Sequence, residues 1–121
     1  MAIQIKSLDQ LKLMRAAGKI VWKTLTEIKG AAAIGVTTVE LDEIARNILT
    51  ANGATSSFLG YHGYPSVICA SVNEEVVHGI PNKRKLQNGD VLSIDFGAIV
   101  DGWHADAAIS FGIGEIETAD Q

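Results

Sequence analysis

Val91-Leu92-Ser93-Ile94-Asp95-Phe96-Gly97-Ala98-Ile99-Val100-Asp101-Gly102-Trp103-His104-Ala105-Asp106-Ala107-Ala108-Ile109-Ser110-Phe111 decides the fold. The even positions from Leu92 to Val100 are all apolar, while the odd ones include Ser93, Asp95 and Gly97. That alternation is a strand with one core face. From Trp103 the parity inverts: Trp103, Ala105, Ala107, Ile109 and Phe111 are the apolar set, leaving His104, Asp106, Ala108 and Ser110 on the other side. Asp101-Gly102 between the two runs is a hairpin turn sequence.

The two strands must turn their apolar faces to the same side of the sheet, so even positions oppose odd ones. Two registers satisfy this. A loop of Asp101-Gly102 sets Asp95 opposite Ala108 and Asp106 opposite Gly97; a loop of Val100-Asp101 sets Asp95 directly opposite Asp106. A three-residue loop separates the carboxylates but exposes one apolar stripe. Either acceptable register gathers Asp95 and Asp106 on the non-core face. Neighbouring like charges cost stability unless a cation lies between them. Carboxylate oxygens suit Mn, Fe, Zn or Co, and paired aspartates serve two-metal centres with ions about 3.5–4 Å apart. An arbitrary aspartate pair on a strand simply faces solvent. Here the small residues Gly97, Ala105 and Ala108 leave room around the carboxylates, which favours a metal-lined groove.

Upstream, two amphipathic helices are predicted. Ser7-Leu8-Asp9-Gln10 fits a capping box, so the first begins near Leu8. Leu11, Met14, Gly18, Val21, Leu25 and Ile28 form its buried stripe, ending by Gly30, with Trp22 beside the stripe in the core. Thr37-Thr38-Val39-Glu40 is a second capping box, followed by Leu41, Ile44, Ala45, Ile48 and Leu49, with Gly53 as the stop. Gly60, Gly63 and Pro65 mark a loop, and residues 66–72 read as a short β-branched strand. Residues 75–77 add a further extended run, and the tail from Glu115 frays.

With 121 residues the chain is long enough for one core and too short for two, so residues 1–121 are read as a single domain. The net charge is -4 and the basic residues cluster only at Lys83-Arg84-Lys85, a solvated loop, so nucleic acid is not an expected partner. Cys69 is the only cysteine, which excludes an internal disulfide and points to the cytoplasm. No apolar stretch approaches the roughly 18 residues of a membrane span. Cys69 in an apolar strand reads as a small hydrophobe, since no base accompanies it. Gly112-Ile113-Gly114 lacks the third glycine of a dinucleotide loop.

The run from Ile94 to Asp106 resembles the metal-binding hairpin of type I methionine aminopeptidases. Leu59-Gly60-Tyr61-His62-Gly63-Tyr64-Pro65 is similar to the substrate-pocket loop of that family, and Ser71-Val72-Asn73-Glu74 to the strand after it. Val77-His78-Gly79-Ile80-Pro81 carries the catalytic-region histidine, and the resemblance extends from the first helix to about Gly114.

The resemblance implies an α+β fold, one half of a pita-bread architecture, with two helices packed on an antiparallel sheet. It implies Asp95 and Asp106 as metal ligands, His78 at the substrate amide, and Phe58, Tyr61, Tyr64 and Cys69 as walls of the methionine pocket. The reaction implied is metal-dependent removal of N-terminal methionine from proteins and peptides. In the family a second half supplies one histidine and two glutamates to the metals, one glutamate being the general base. None of His62, His78, His104, Glu115 and Glu117 matches those positions. The expectation is a first half-site, weak or inactive alone, partnered by a second copy or a complementing C-terminal half. The rival reading is a non-catalytic half-fold module that homodimerises.

Overall fold

The computed structural model describes residues 7–73 and 79–114, with the backbone alone at His62. The elements are α1 (Leu8–Ala31), α2 (Thr38–Ala51), β1 (Thr55–Ser56), a 3-10 turn (Tyr61–Gly63), β2 (Ile68–Val72), β3 (Val91–Val100) and β4 (Trp103–Gly112). The expected run at residues 75–77, His78 and the tail from Glu115 lie outside the described residues.

The hairpin turn is Asp101-Gly102, with φ of 48° and 83°. Two successive left-handed residues match the twist of antiparallel strands, and Asp-Gly adopts them at low cost. Val100 therefore pairs with Trp103, and the register runs through Asp95↔Ala108 and Gly97↔Asp106. This selects the first of the two registers compatible with the sequence.

β3 is the spine of the sheet. β4 follows one edge over its whole length, while β2 pairs with residues from Leu92 to Phe96 and β1 with Ala98 and Ile99 along the other, all antiparallel. Leu92, Ile94, Phe96 and Ala98 are buried with Ile68, Ala70 and Val72 under the two helices. α1 crosses β3 and β4 and packs against α2. The opposite face of the sheet carries Cys69, Asp95, Gly97 and Asp106.

Both helix starts are capped by the expected residue, α1 by the full reciprocal box and α2 by the Thr37 side chain. Ser7 Oγ accepts from Gln10 N at 3.2 Å while Gln10 Oε1 accepts from Ser7 N at 2.9 Å. Thr37 Oγ1 accepts from Glu40 N at 3.2 Å, and α2 stops before Gly53, at φ 64°. The buried stripe of α1 is Ala17, Ile20, Val21, Thr24, Leu25 and Ile28. Trp22, expected in the core, is 71% exposed. One residue beyond Val21 is about 100° around the helix, which carries the ring off the stripe. Leu11, expected in that stripe, also lies outside the core.

Two buried carboxylates tie loops to this frame. Asp42 on α2 accepts from Val67 N at 2.8 Å and Ile68 N at 3.1 Å, and Arg46 Nε donates to its other oxygen at 2.7 Å. Arg46 Nη2 also donates to Pro65 O at 2.8 Å. Asp90 accepts from Gln87 N at 2.8 Å, Asn73 Nδ2 at 3.0 Å and Arg84 Nη1 at 3.3 Å. Arg84 in the basic loop is thus engaged rather than merely solvated.

Candidate metal centre

On the face of the sheet away from the helices, Cys69, Asp95 and Ala108 form one cross-strand row, and Gly97 and Asp106 form the next. These rows floor a groove of about 320 Å³ lined by Phe58, Cys69, Asp95, Asp106, Ala107 and Ala108. Both aspartates are exposed to it. Ala107, opposite Phe96 on the core-facing side as parity requires, is nevertheless exposed and borders the groove. Ala105, expected to give the carboxylates room, packs against the core. β4 lies at an edge of the described sheet, so its inward face is covered only in part.

The loop after β1 builds the wall. Ser56 Oγ accepts from Phe58 N and Leu59 N, both at 3.0 Å, which bends the chain back over the sheet. Gly60, at φ 83°, permits the following 3-10 turn. The Phe58 and Tyr64 rings meet edge to face with centroids 6.4 Å apart. Tyr64 Oη donates to Ile68 O at 2.8 Å. Burial, then the adjacent Cys69 thiol and the charges of Asp42 and Asp95, push the Tyr64 hydroxyl above its ordinary range, so it stays a protonated donor. The Asp42–Arg46 pair fixes the far end of this loop at Pro65, Val67 and Ile68.

The residues singled out in the sequence thus divide. Phe58, Cys69, Asp95 and Asp106 share the groove, and Tyr64 braces Phe58 from behind. Tyr61, on the 3-10 turn, is 70% exposed and is not among the lining residues. His104 is exposed opposite Ile99, also away from the lining. His78 lies outside the described residues, but its neighbour Gly79 is held beside β2, its carbonyl accepting from Ala70 N at 2.6 Å. Two contributors escaped the sequence reading. Asp42 stands beside Leu41 and four residues before Arg46, the one available clue to its pairing. Ser57 donates through its backbone N to Gly97 O at 3.2 Å and fills the space above that glycine, and nothing local marks it.

The donor set fits a divalent cation on one side only. Asp95 and Asp106 offer hard carboxylate oxygens in an open groove, which is the chemistry such ions favour. Among the described residues no cluster of three or more His, Cys, Asp or Glu side chains could enclose an ion. The arrangement offers carboxylate oxygens from one side of the groove.

An open sheet face with two carboxylates beside an aromatic wall, backed by two helices, is the first half of a metallopeptidase architecture, and the chain belongs to metallopeptidase family M24, whose model matches residues 12–121. Its resemblance within that family is to type I methionine aminopeptidases, over their N-terminal half. It is 53% identical to methionine aminopeptidase 1 of Mycobacterium tuberculosis, covering 96% of this chain and 44% of that protein. With methionine aminopeptidase 1 of Bacillus subtilis it shares 46% identity, over 96% of this chain and 47% of the relative. The crystal structure of methionine aminopeptidase from Rickettsia prowazekii superposes with a TM-score of 0.89 at 37% identity, covering 98% of this chain and 48% of that one. The chain therefore spans less than half the length of these relatives. Prolidase from Pyrococcus furiosus, with a TM-score of 0.75 at 17% identity, shares the pita-bread fold alone.

Proposed function

We propose that these residues form the first half-site of a metal-dependent aminopeptidase that removes N-terminal methionine from peptides and proteins. The observation that carries this reading is the convergence of Asp95, Asp106, Phe58 and Cys69 on one groove. Asp95 and Asp106 hold the divalent metal, with Mn, Fe, Co and Zn all compatible with oxygen donors. A bound metal supplies Lewis-acid polarisation of the scissile carbonyl and lowers the pKa of a water nucleophile. Phe58 and Cys69 offer a methionine thioether aromatic and soft sulfur surface, with Tyr64 holding Phe58 upright and Tyr61 at the outer rim. His78 is assigned to the substrate amide.

Two aspartates are too few donors for a dinuclear centre, so the 121-residue chain alone is weakly active or inactive. Its lone cysteine supports a cytoplasmic setting. Among the described residues no helix is long and apolar enough to cross a membrane. The decisive measurement is calorimetric titration with Mn or Co, alongside methionine release from a Met-Ala-Ser peptide. Weak metal binding, lost in Asp106→Asn, is expected. Tight binding that survives this substitution sinks the assignment.

Assembly is a second reading, favoured by the edge of β4. Among the described residues no strand pairs with that edge, and beside it Trp22, Leu25, Ile109 and Phe111 line a cleft of about 220 Å³. Such an edge is a template for another strand, supplied by a complementing half or by a second copy in a two-fold homodimer. Light scattering at micromolar concentration reads this directly: a dimer supports it, and a clean monomer refutes the homodimer.

A further inference from the structure

Ser57 is the one described residue whose buried side-chain polar atom makes no hydrogen bond, its Oγ being shut off from solvent. An orphaned hydroxyl costs stability that alanine would not. Its location is specific. Ser57 is anchored to β3 through its own backbone, N to Gly97 O at 3.2 Å. A Cβ built on Gly97 would lie 2.8 Å from Ser57 Oγ and 3.4 Å from Asp106 Cβ. The hydroxyl and the base of the Asp106 side chain therefore flank the same glycine gap.

We propose that Ser57 is a positioning residue for Asp106: its hydroxyl donates to one carboxylate oxygen when the other is directed at a divalent cation. This rests on the reading of Asp106 as a metal ligand. An O–H donor to an ionised carboxylate makes a short, strong hydrogen bond. Such outer partners fix the orientation of a ligating group and typically change metal affinity by about 10–100-fold. Gly97 is part of the device, because any side chain there would occupy the space through which hydroxyl and carboxylate meet. The burial of Ser57 Oγ leaves that hydroxyl without a competing water.

The test is Co(II) titration of the full 121-residue chain followed by visible absorption, with melting temperatures measured in the presence of a chelator. Ser57→Ala is expected to weaken Co(II) binding about tenfold and alter the absorption bands. Its melting temperature in chelator should stay equal or rise, since an unsatisfied hydroxyl is removed. Ser110→Ala, which removes an exposed hydroxyl bonded to Ser93 on the same face, should leave affinity unchanged. Unaltered Co(II) affinity in Ser57→Ala, with a lower melting temperature, would make Ser57 a packing residue and overturn the proposal. The metal-ligand reading survives that result provided Asp106→Asn abolishes binding. Co(II) binding that persists in Asp106→Asn overturns both.

Discussion

Asp95 and Asp106 are diagonal neighbours across the hairpin: Asp95 faces Ala108, and Asp106 faces Gly97. Diagonal partners are about 7–8 Å apart at the backbone, close enough for both carboxylates to address one groove yet farther than a directly opposed pair. Their repulsion is correspondingly mild. Changing both to asparagine should raise the melting temperature in chelator by about 1–2 °C, a few tenths of a kcal/mol. Saturating Mn should reverse the order. Identical thermal scans for both proteins, with and without Mn, would show that the two groups do not sense each other.

Asp42 should be worth more to stability than either groove aspartate. Asp42→Ala strips the acceptor from the buried amides of Val67 and Ile68, at about 1–3 kcal/mol for each unsatisfied group. The ion pair with Arg46 adds little, since the arginine side chain is 41% exposed. A total loss of about 2–4 kcal/mol is expected in urea unfolding. Asp42→Asn, which keeps a carbonyl oxygen for the amides, should lose clearly less. If the two variants are equally destabilised, the amide bonds are not the main contribution.

Acid stability should follow Asp90. Burial alone would raise its pKa, but the hydrogen bonds from Gln87, Asn73 and Arg84, with the charge of Arg84, together outweigh that and hold it below the ordinary carboxylate range. A depressed folded pKa contributes stability that is complete above the unfolded pKa of about 3.9 and is lost as pH falls through the folded value. Asp90→Asn should therefore lower stability at pH 7 and flatten the acid limb below about pH 4. A variant with the same pH dependence as the parent chain would remove Asp90 from that account.

Gly97 cannot carry a side chain while Ser57 sits above it. The added Cβ of Gly97→Ala would fall 2.8 Å from Ser57 Oγ and 2.9 Å from Ser57 Cβ, and Ser57 is held there by its backbone bond to Gly97 itself. Overpacking of this kind costs about 1–3 kcal/mol. Combining it with Ser57→Gly should recover part of the loss, and a coupling above about 0.5 kcal/mol in the double-mutant cycle would register the contact. Additive effects would mean that the loop lifts without resistance.

Local pattern was enough to specify the hairpin, its Asp101-Gly102 turn, both helix caps and the shared face of Asp95 and Asp106. Each rests on a period of two, on turn dihedrals or on a contact three residues away, all of which are properties of neighbouring residues. The family was legible too, because several motifs occur in order along one stretch of chain. Tertiary structure decided what depends on distant partners. It turned Trp22 outward because α1 offers the sheet a narrow stripe, and it left Ala107 exposed on the core-facing side of the edge strand. It also left Tyr61 exposed and off the groove lining, buried Asp42 against amides 25 and 26 residues away, and set Ser57 on Gly97. Periodicity says which side of an element a residue occupies; only the packing of elements far apart in the chain says what, if anything, covers that side.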